Sequence, residues 1–205
     1  GCTLLLFRPQ EKEPYARLKY PEAYHIGNTF AMLVFGLKID EFEYAFQLDG
    51  PYDESRGLLF DKNNVLLDPF AKAVTGQRNW GERPESDEGF VYHARVVENN
   101  FDWGKMTFPE IPAEDLIIYE THVRGFTRDA SSGVTAGGTF EGLRQKIPYL
   151  KDLGVNAIEL LPIFEFDEME SARVVDGVQL YNYWGYNTVS FFAPNTSYSS
   201  VVEHN

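Results

Sequence analysis

Cysteine and positive charge are scarce in this sequence. The single cysteine, Cys2, cannot form a disulfide within the chain, so nothing in the sequence requires an oxidising compartment. Lysine and arginine number 18 against 31 aspartates and glutamates, which gives a formal net charge of -13 at pH 7. Because nucleic acid and anionic membrane surfaces would repel such a chain, we expect neither as a partner and favour neutral ones.

Long hydrophobic runs are also lacking. No apolar run approaches the roughly 18 residues of a membrane-spanning helix, and no basic segment followed by an apolar stretch opens the chain. We therefore expect a cytoplasmic location. Residues 1–7 begin directly in an apolar run and residues 201–205 stop without a closing element, so we expect the sequence to be truncated at both ends.

Several motifs of metal and nucleophilic sites are missing as well. The histidines stand far apart in the sequence, at His25, His93, His122 and His204. With the only cysteine near the terminus, this spacing predicts no metal site. The sequence contains no G-x-S-x-G segment and no glycine-rich phosphate loop. Gly137 and Gly138 precede a predicted helix, where a flexible joint is favoured over an anion site.

Carboxylates are plentiful by contrast. Glu165, Asp167, Glu168 and Glu170 follow one predicted strand closely. We interpret them as a solvated acidic loop rather than a catalytic carboxylate pair. The loop offers oxygen ligands for calcium, but no calcium motif is present, so we predict no cofactor. Glu159 lies in the middle of the predicted strand, where a carboxylate would need a buried partner, and we interpret it as structural.

The first half of the chain has the signals of short β-strands. Apolar runs at residues 4–7 and 29–35 end at turn residues, and residues 65–74 read as a strand followed by a turn and a short helical piece. Residues 42–46 alternate aromatic side chains with Glu43 and Ala45, the period of a half-buried strand. We predict a β-sandwich over residues 1–105, followed by a connector within residues 99–110.

The second half, residues 106–205, reads as an α/β structure. Residues 116–119 form an apolar run without alternation, which is typical of a strand buried on both faces of a parallel sheet, and residues 155–161 are predicted to form a second buried strand. The first of these runs ends in polar residues able to bind a ligand: Glu120, Thr121, His122 and Arg124.

A helix is predicted between these strands, over residues 139–154. Its apolar stripe consists of Phe140, Leu143, Ile147 and Leu150. Thr139 caps its start, Gly154 ends it and Pro148 kinks it. Strand, helix and strand together predict a βαβ unit of an incomplete sheet.

Residues 181–188, YNYWGYNT, are the most informative stretch for function. Aromatic faces stack on the apolar faces of sugar rings, while amides and hydroxyls bind the sugar hydroxyls. The mixture therefore predicts a binding site for a neutral carbohydrate. Packing of these aromatic residues in the core is the alternative.

Three longer segments resemble the isoamylase and glycogen-debranching branch of glycoside hydrolase family 13, the α-amylase superfamily. They are YETHVRGFT at 119–127, GTFEGLRQKIPYLKDLGVNAIELLPIFEFDE at 138–168 and NYWGYNTVSFFAPNTSYSS at 182–200. More weakly, LDGPYD, LFDKNN and LLDPFAKAV resemble the β-sandwich carbohydrate-binding module of family 48. The resemblance implies that residues 106–205 are the first part of a (β/α)8 barrel, whose substrate cleft lies at the C-terminal ends of its strands.

The resemblance also implies an activity and a site. Such enzymes are retaining hydrolases of α-glucans, and none of the motifs that carry their catalytic carboxylates occurs in this sequence, so we name no catalytic residue. The tyrosine that stacks on the sugar next to the scissile bond in this family matches Tyr186, with Trp184 and Asn187 beside it as further substrate-binding residues.

We accordingly expect a protein that debranches glycogen or starch-type glucans at α-1,6 linkages. A related α-1,4 amylase, a branching enzyme, and a non-catalytic glucan-binding or scaffold protein are the alternatives.

Overall fold

A computed structural model describes residues 1–75, 80–82 and 92–201. The strands are β1 Cys2–Phe7, β2 Ala16–Lys19, β3 His25–Ile26, β4 Thr29–Phe30, β5 Glu43–Leu48, β6 Tyr52–Asp53, β7 Leu58–Leu59, β8 Ala73–Val74, β9 Ala94–Arg95, β10 Ile118–Thr121, β11 Ala157–Leu160, β12 Phe164–Phe166, β13 Arg173–Val175, β14 Val178–Leu180 and β15 Thr188–Pro194. The helices are α1 Val123–Thr127, α2 Phe140–Gln145 and α3 Ile147–Asp152. Within these ranges no helix is long and apolar enough to cross a membrane.

The first half of the chain is built around a five-stranded antiparallel sheet in the order β2-β1-β5-β9-β8. Leu5 and Phe7 of β1 pack on Ala45 of β5 to form its buried centre. The predicted strand over residues 29–35 was wrong beyond Phe30, because the chain pairs there only in the short β3–β4 hairpin. The chain thus has an N-terminal β domain.

Strand β5 alternates as predicted, but its most buried face carries Glu43 and Ala45 rather than the aromatic residues. The Glu43 carboxylate lies 3.1 Å from Nδ1 of His93 and accepts a hydrogen bond of 3.2 Å from the Gln10 N–H. The His93 ring stacks on Phe7 with ring centroids 3.8 Å apart. Because these partners satisfy the carboxylate, a charged side chain can occupy the buried face.

Strands β10 and β11 pair in parallel, and α1 to α3 lie between them in the chain, so the predicted strand–helix–strand unit is present. The predicted burial on both faces was wrong. Ile118 is 57% exposed and Ile158 is 40% exposed. Among the described residues these two strands pair only with each other, which leaves their apolar faces uncovered. Glu159 is consequently exposed and has no need of a buried partner.

The predicted kinked helix is divided into two. Helix α2 ends at Gln145 and α3 begins at Ile147, with Lys146 between them at φ -92° and ψ 0°. Pro148 lacks an N–H, and its ring would clash with a carbonyl of the preceding turn, so the helix breaks just before it. Ile147, expected in the apolar stripe, is 44% exposed at this break.

The start of α2 follows the sequence prediction. The Thr139 hydroxyl accepts a hydrogen bond of 3.2 Å from the Gly142 N–H, which caps the helix. Gly138 has φ +83°, and a Cβ on Gly137 would lie 2.7 Å from the Thr127 carbonyl oxygen. The two glycines therefore form a tight joint before the helix.

After β11 the chain forms two antiparallel strand pairs, one inserted within the other in sequence. Strands β12 and β15 pair antiparallel, and the β13–β14 hairpin lies between them in the chain. Ala193 of β15 packs against Val74 and Ala94 of the N-terminal sheet. Trp80 contacts the second half as well, where it packs on Phe166 and Tyr198. The two halves of the chain therefore share buried contacts.

Candidate functional site

Residues 181–187, which we name the aromatic loop, follow the β13–β14 hairpin and contact the rest of the protein through some of their residues only. Tyr181 contacts Trp80 edge-on, and Gly185 packs against the buried Phe166. The Asn182 N–H also donates a 2.9 Å hydrogen bond to the Glu168 carbonyl. These contacts fasten the loop beside the residues that follow β10, at the C-terminal end of the parallel strand pair.

Close approach of this loop to its neighbours depends on glycine. A Cβ on Gly81 would lie 2.7 Å from the Tyr181 ring, and one on Gly125 would lie 2.6 Å from the Tyr183 hydroxyl oxygen. Gly185 has φ +74°, and its Cβ would lie 2.4 Å from Phe166. Any larger side chain at these positions would displace an aromatic ring.

His122 connects β10 to the aromatic loop. Its Nδ1 accepts hydrogen bonds of 3.1 Å from the N–H groups of Arg124 and Gly125, which caps α1. The proton therefore lies on Nε2, which donates a 2.9 Å hydrogen bond to the Tyr183 carbonyl. The His122 ring also stacks on the Tyr183 ring, with centroids 4.3 Å apart and an interplanar angle of 11°. Burial lowers the pKa of His122 and keeps the ring neutral.

Of the four polar residues at the end of β10 that were predicted to be able to bind a ligand, three are buried or make contacts within the protein. Thr121 and His122 are buried. The Arg124 guanidinium lies 4.5 Å from the centroid of the Trp80 ring, in a cation–π contact. Among them the His122 side chain contacts the aromatic loop, and the 61 positions that separate it from Tyr183 hid this role from sequence reasoning.

The predicted substrate-binding residues lie on the outer side of the aromatic loop. Tyr186 is 72% exposed and Trp184 is 55% exposed. Trp184 touches the His122 and Tyr183 rings edge-on, with centroids 5.9 Å and 5.5 Å away. Asn187 is exposed, and its side-chain amide donates a hydrogen bond to the Glu170 carboxylate. Substrate contact by these three residues remains a prediction.

A cleft of about 580 Å³ opens between the β13–β14 hairpin and the aromatic loop. It is lined by Tyr181 and Tyr183 together with the polar side chains of Glu170, Arg173, Gln179 and Asn187. Asn187 is thus the one predicted site residue that lines it. The hairpin residues were missed at the sequence level, because a β-hairpin next to a loop leaves no local signal of the space between them.

The interpretation of a solvated acidic loop was wrong for Glu165 and Glu168, which are fully buried. The Glu165 carboxylate accepts a 2.8 Å hydrogen bond from the Thr196 N–H, and the Glu168 carboxylate accepts one of 2.9 Å from the Ser197 hydroxyl. Burial raises the pKa of Glu165 to about 8 and also raises that of Glu168. Over residues 1–75, 80–82 and 92–201, no group of three or more His, Cys, Asp or Glu is placed to hold a metal ion.

The buried carboxyl of Glu165 should make stability depend on pH. From its ordinary pKa of 4.5 up to about 8, the folded protein keeps a proton that the unfolded chain loses. The free energy of unfolding therefore falls as pH rises through this window, by at most about 1.4 kcal/mol per pH unit. Glu165→Gln carries no such proton and should reduce this slope in urea denaturation, leaving the part that Glu168 contributes. The exposed Glu114→Gln should keep it, and an unchanged slope in Glu165→Gln would contradict the assignment.

Curated proteins with sequences similar to this chain include proteins named isoamylase and glycogen debranching enzyme. Isoamylase 3, chloroplastic, of Oryza sativa subsp. japonica is 42% identical over 179 residues, which cover 85% of this chain and 23% of the relative. The glycogen debranching enzyme of Serratia proteamaculans is 32% identical over 213 residues, covering 98% of this chain and 31% of the relative. The chain thus spans about a quarter of the length of such relatives. No protein-family model matches it.

Solved structures share the fold. A pullulanase from Paenibacillus barengoltzii, in complex with maltohexaose and alpha-cyclodextrin, superposes with a TM-score of 0.72 at 20% sequence identity. The match covers 100% of this chain and 30% of the pullulanase chain. The fold of this chain is therefore found within a larger protein.

Proposed function

We propose, for a chain that belongs to the isoamylase and glycogen-debranching branch of glycoside hydrolase family 13, that the whole protein hydrolyses α-1,6 branch points of α-glucans. Relatives that align over most of this chain are isoamylases and glycogen debranching enzymes. The observation that carries the proposal is the exposed aromatic surface of Trp184 and Tyr186 beside the C-terminal ends of two parallel strands. Ligand sites of parallel α/β barrels lie at that end.

The architecture that we propose is a β-sandwich over residues 1–105 followed by the first part of a (β/α)8 barrel over 106–205. The uncovered apolar faces of β10 and β11 support the barrel, because further parallel strands and helices would bury them. In a barrel the loops after the strands surround one cleft. The aromatic loop would form part of its wall.

Within that cleft we assign substrate binding to Tyr186, Trp184 and Asn187. The exposed Tyr186 ring offers an apolar face to one glucosyl ring, and Trp184 offers a second aromatic surface beside it. The Asn187 carbonyl oxygen is left to accept from a sugar hydroxyl, since its amide donates to Glu170. The sequence carries none of the family's catalytic motifs, so we expect the nucleophile and the acid/base of a retaining mechanism to come from elsewhere in the protein.

The partner of this site would be a neutral α-glucan chain. The pullulanase that shares the fold was solved with maltohexaose, and the formal net charge of -13 in this chain disfavours anionic ligands. We also propose a cytoplasmic location for the whole protein, whereas the rice relative is named as chloroplastic.

Incubation of the intact protein with glycogen and with pullulan tests the proposed function. Debranching should release linear chains and new reducing ends from glycogen, and hydrolysis of the α-1,6 bonds of the linear polymer pullulan would release maltotriose. Failure to cleave both substrates would refute the activity, and release from glycogen of short products by cleavage of α-1,4 bonds alone would identify an amylase instead.

Tyr186→Ala should lower kcat/KM on branched glucans by roughly 5- to 150-fold, which corresponds to about 1 to 3 kcal/mol of lost stacking in the transition state. Because Tyr186 is 72% exposed, the melting temperature should stay near that of the wild type. Tyr186→Phe keeps the ring and should retain most of the activity. Tyr24→Ala removes another exposed tyrosine, from the N-terminal half, and should change nothing. Wild-type kinetics in Tyr186→Ala would remove Tyr186 from the site.

A further inference from the structure

We propose that the cleft between the β13–β14 hairpin and the aromatic loop is a second sugar subsite. It would take one glucosyl unit of the same glucan chain whose neighbouring unit stacks on Tyr186. The inference rests on the proposed function for the identity of the glucan. It depends on different residues, since Tyr186 and Trp184 do not line the cleft.

The size and lining of the cleft suit a sugar ring. Its volume of about 580 Å³ is within the range of small-molecule sites, roughly 300 to 1,000 Å³. Tyr181 and Tyr183 contribute aromatic surface, and both are fixed by the contacts with Trp80 and His122 described above. A preformed aromatic wall of this kind binds an apolar ring face without first having to become ordered.

The charges of the cleft select a neutral ligand. Glu170 and Arg173 both line it, and the Arg173 guanidinium has no hydrogen bond or ion pair with the described residues. The carboxylate disfavours an anion, and the guanidinium disfavours a cation. A sugar satisfies both, because its hydroxyl groups donate to a carboxylate and accept from a guanidinium.

The position of Asn187 makes the cleft continuous with the predicted stacking site. Asn187 follows Tyr186 directly in the chain and lines the cleft, where Glu170 accepts a hydrogen bond from its side chain. In this arrangement a glucan that stacks on Tyr186 places its next unit in the cleft. Chains of two or more units would fill both places, and a single glucose would fill only one.

Calorimetric titration of the intact protein with maltose and with maltohexaose measures the affinity for each oligosaccharide and so tests the subsite. Linear chains have no α-1,6 bonds, so a debranching enzyme binds them without cleaving them. Arg173→Ala should lower the affinities for maltose and for maltohexaose alike by about tenfold, the size of a lost charge-assisted hydrogen bond. Gln179→Ala should act in the same direction with a smaller effect. Val178→Ala, from the same strand but outside the cleft, should change neither affinity.

The outcomes separate the subsite from the proposed function. If Arg173→Ala and Gln179→Ala bind maltohexaose like the wild type while glycogen is still debranched, the subsite is refuted and the activity stands. If the wild type cleaves no glucan but both variants weaken maltohexaose binding, the activity is refuted and the subsite stands. If the wild type binds neither oligosaccharide and cleaves no glucan, both are refuted.

Discussion

Gly185→Ala is expected to destabilise the protein by about 2 to 5 kcal/mol and to abolish glucan binding. The residue has φ +74°, a conformation that costs an alanine about 1 to 2 kcal/mol, and the added methyl would lie 2.4 Å from the buried Phe166 ring. Relief of that overlap requires movement of the ring or of the loop, at a further cost of about 1 to 3 kcal/mol. Urea denaturation and oligosaccharide titration measure the two effects.

Gly177→Ala is the matched control for this prediction. Gly177 has nearly the same backbone conformation, with φ +79°, but no heavy atom lies within 4 Å of the position its Cβ would take. Only the conformational cost of about 1 to 2 kcal/mol should therefore appear. Equal losses of stability in the two variants would mean that the contact with Phe166 does not hold the aromatic loop.

His122→Ala should cost about 3 to 5 kcal/mol of unfolding free energy. The change removes a helix cap, leaves the Tyr183 carbonyl without its donor and deletes a stacked ring. His122→Ala should also weaken glucan binding, because the aromatic loop loses this contact. His122→Asn can still cap α1, so it should recover about 1 kcal/mol of the lost unfolding free energy. Because it cannot stack on Tyr183, its glucan affinity should stay as low as that of His122→Ala. Full recovery of affinity in His122→Asn would show that the stacking does not position the loop.

The lowered pKa of His122 predicts that the protein loses stability in acid. Between that folded-state pKa and about 6.5 the unfolded chain binds a proton that the folded protein does not. The stabilisation is complete above about pH 6.5 and declines as pH falls through the window. Protonated Nδ1 also loses its ability to accept from the two α1 amides. In His122→Asn this part of the pH dependence should disappear.

Features that depend on neighbours in sequence could be predicted from the sequence. The Thr139 cap and the interruption of the helix at Pro148 follow from the properties of single residues and their nearest neighbours. Gly137 and Gly138 were expected to form a flexible joint, whereas a Cβ on Gly137 would overlap the Thr127 carbonyl. Alternation in β5 was likewise visible. The exposure of Trp184 and Tyr186 fits the mixture of aromatic and polar residues that drew attention to the loop.

Features that depend on distant partners could not be predicted in this way. Glu43 occupies the buried face of β5 because His93, separated from it by 50 positions in the sequence, lies opposite. His122 and Tyr183 are separated by 61 positions, and neither residue alone indicates the hydrogen bond and stacking that join them.

The local elements, the resemblance to the family and the aromatic and polar composition of the aromatic loop could be read from the sequence, since each of these depends on residues close together in the chain. Which side chains are buried and which are exposed emerged only with the folded arrangement of distant segments. The segment around Thr196 and Ser197 folds back over Glu165 and Glu168, so a loop that looks acidic and solvated has two of its carboxyl groups enclosed. Burial is a property of the partners that surround a side chain, and in this protein most of those partners are far away in sequence.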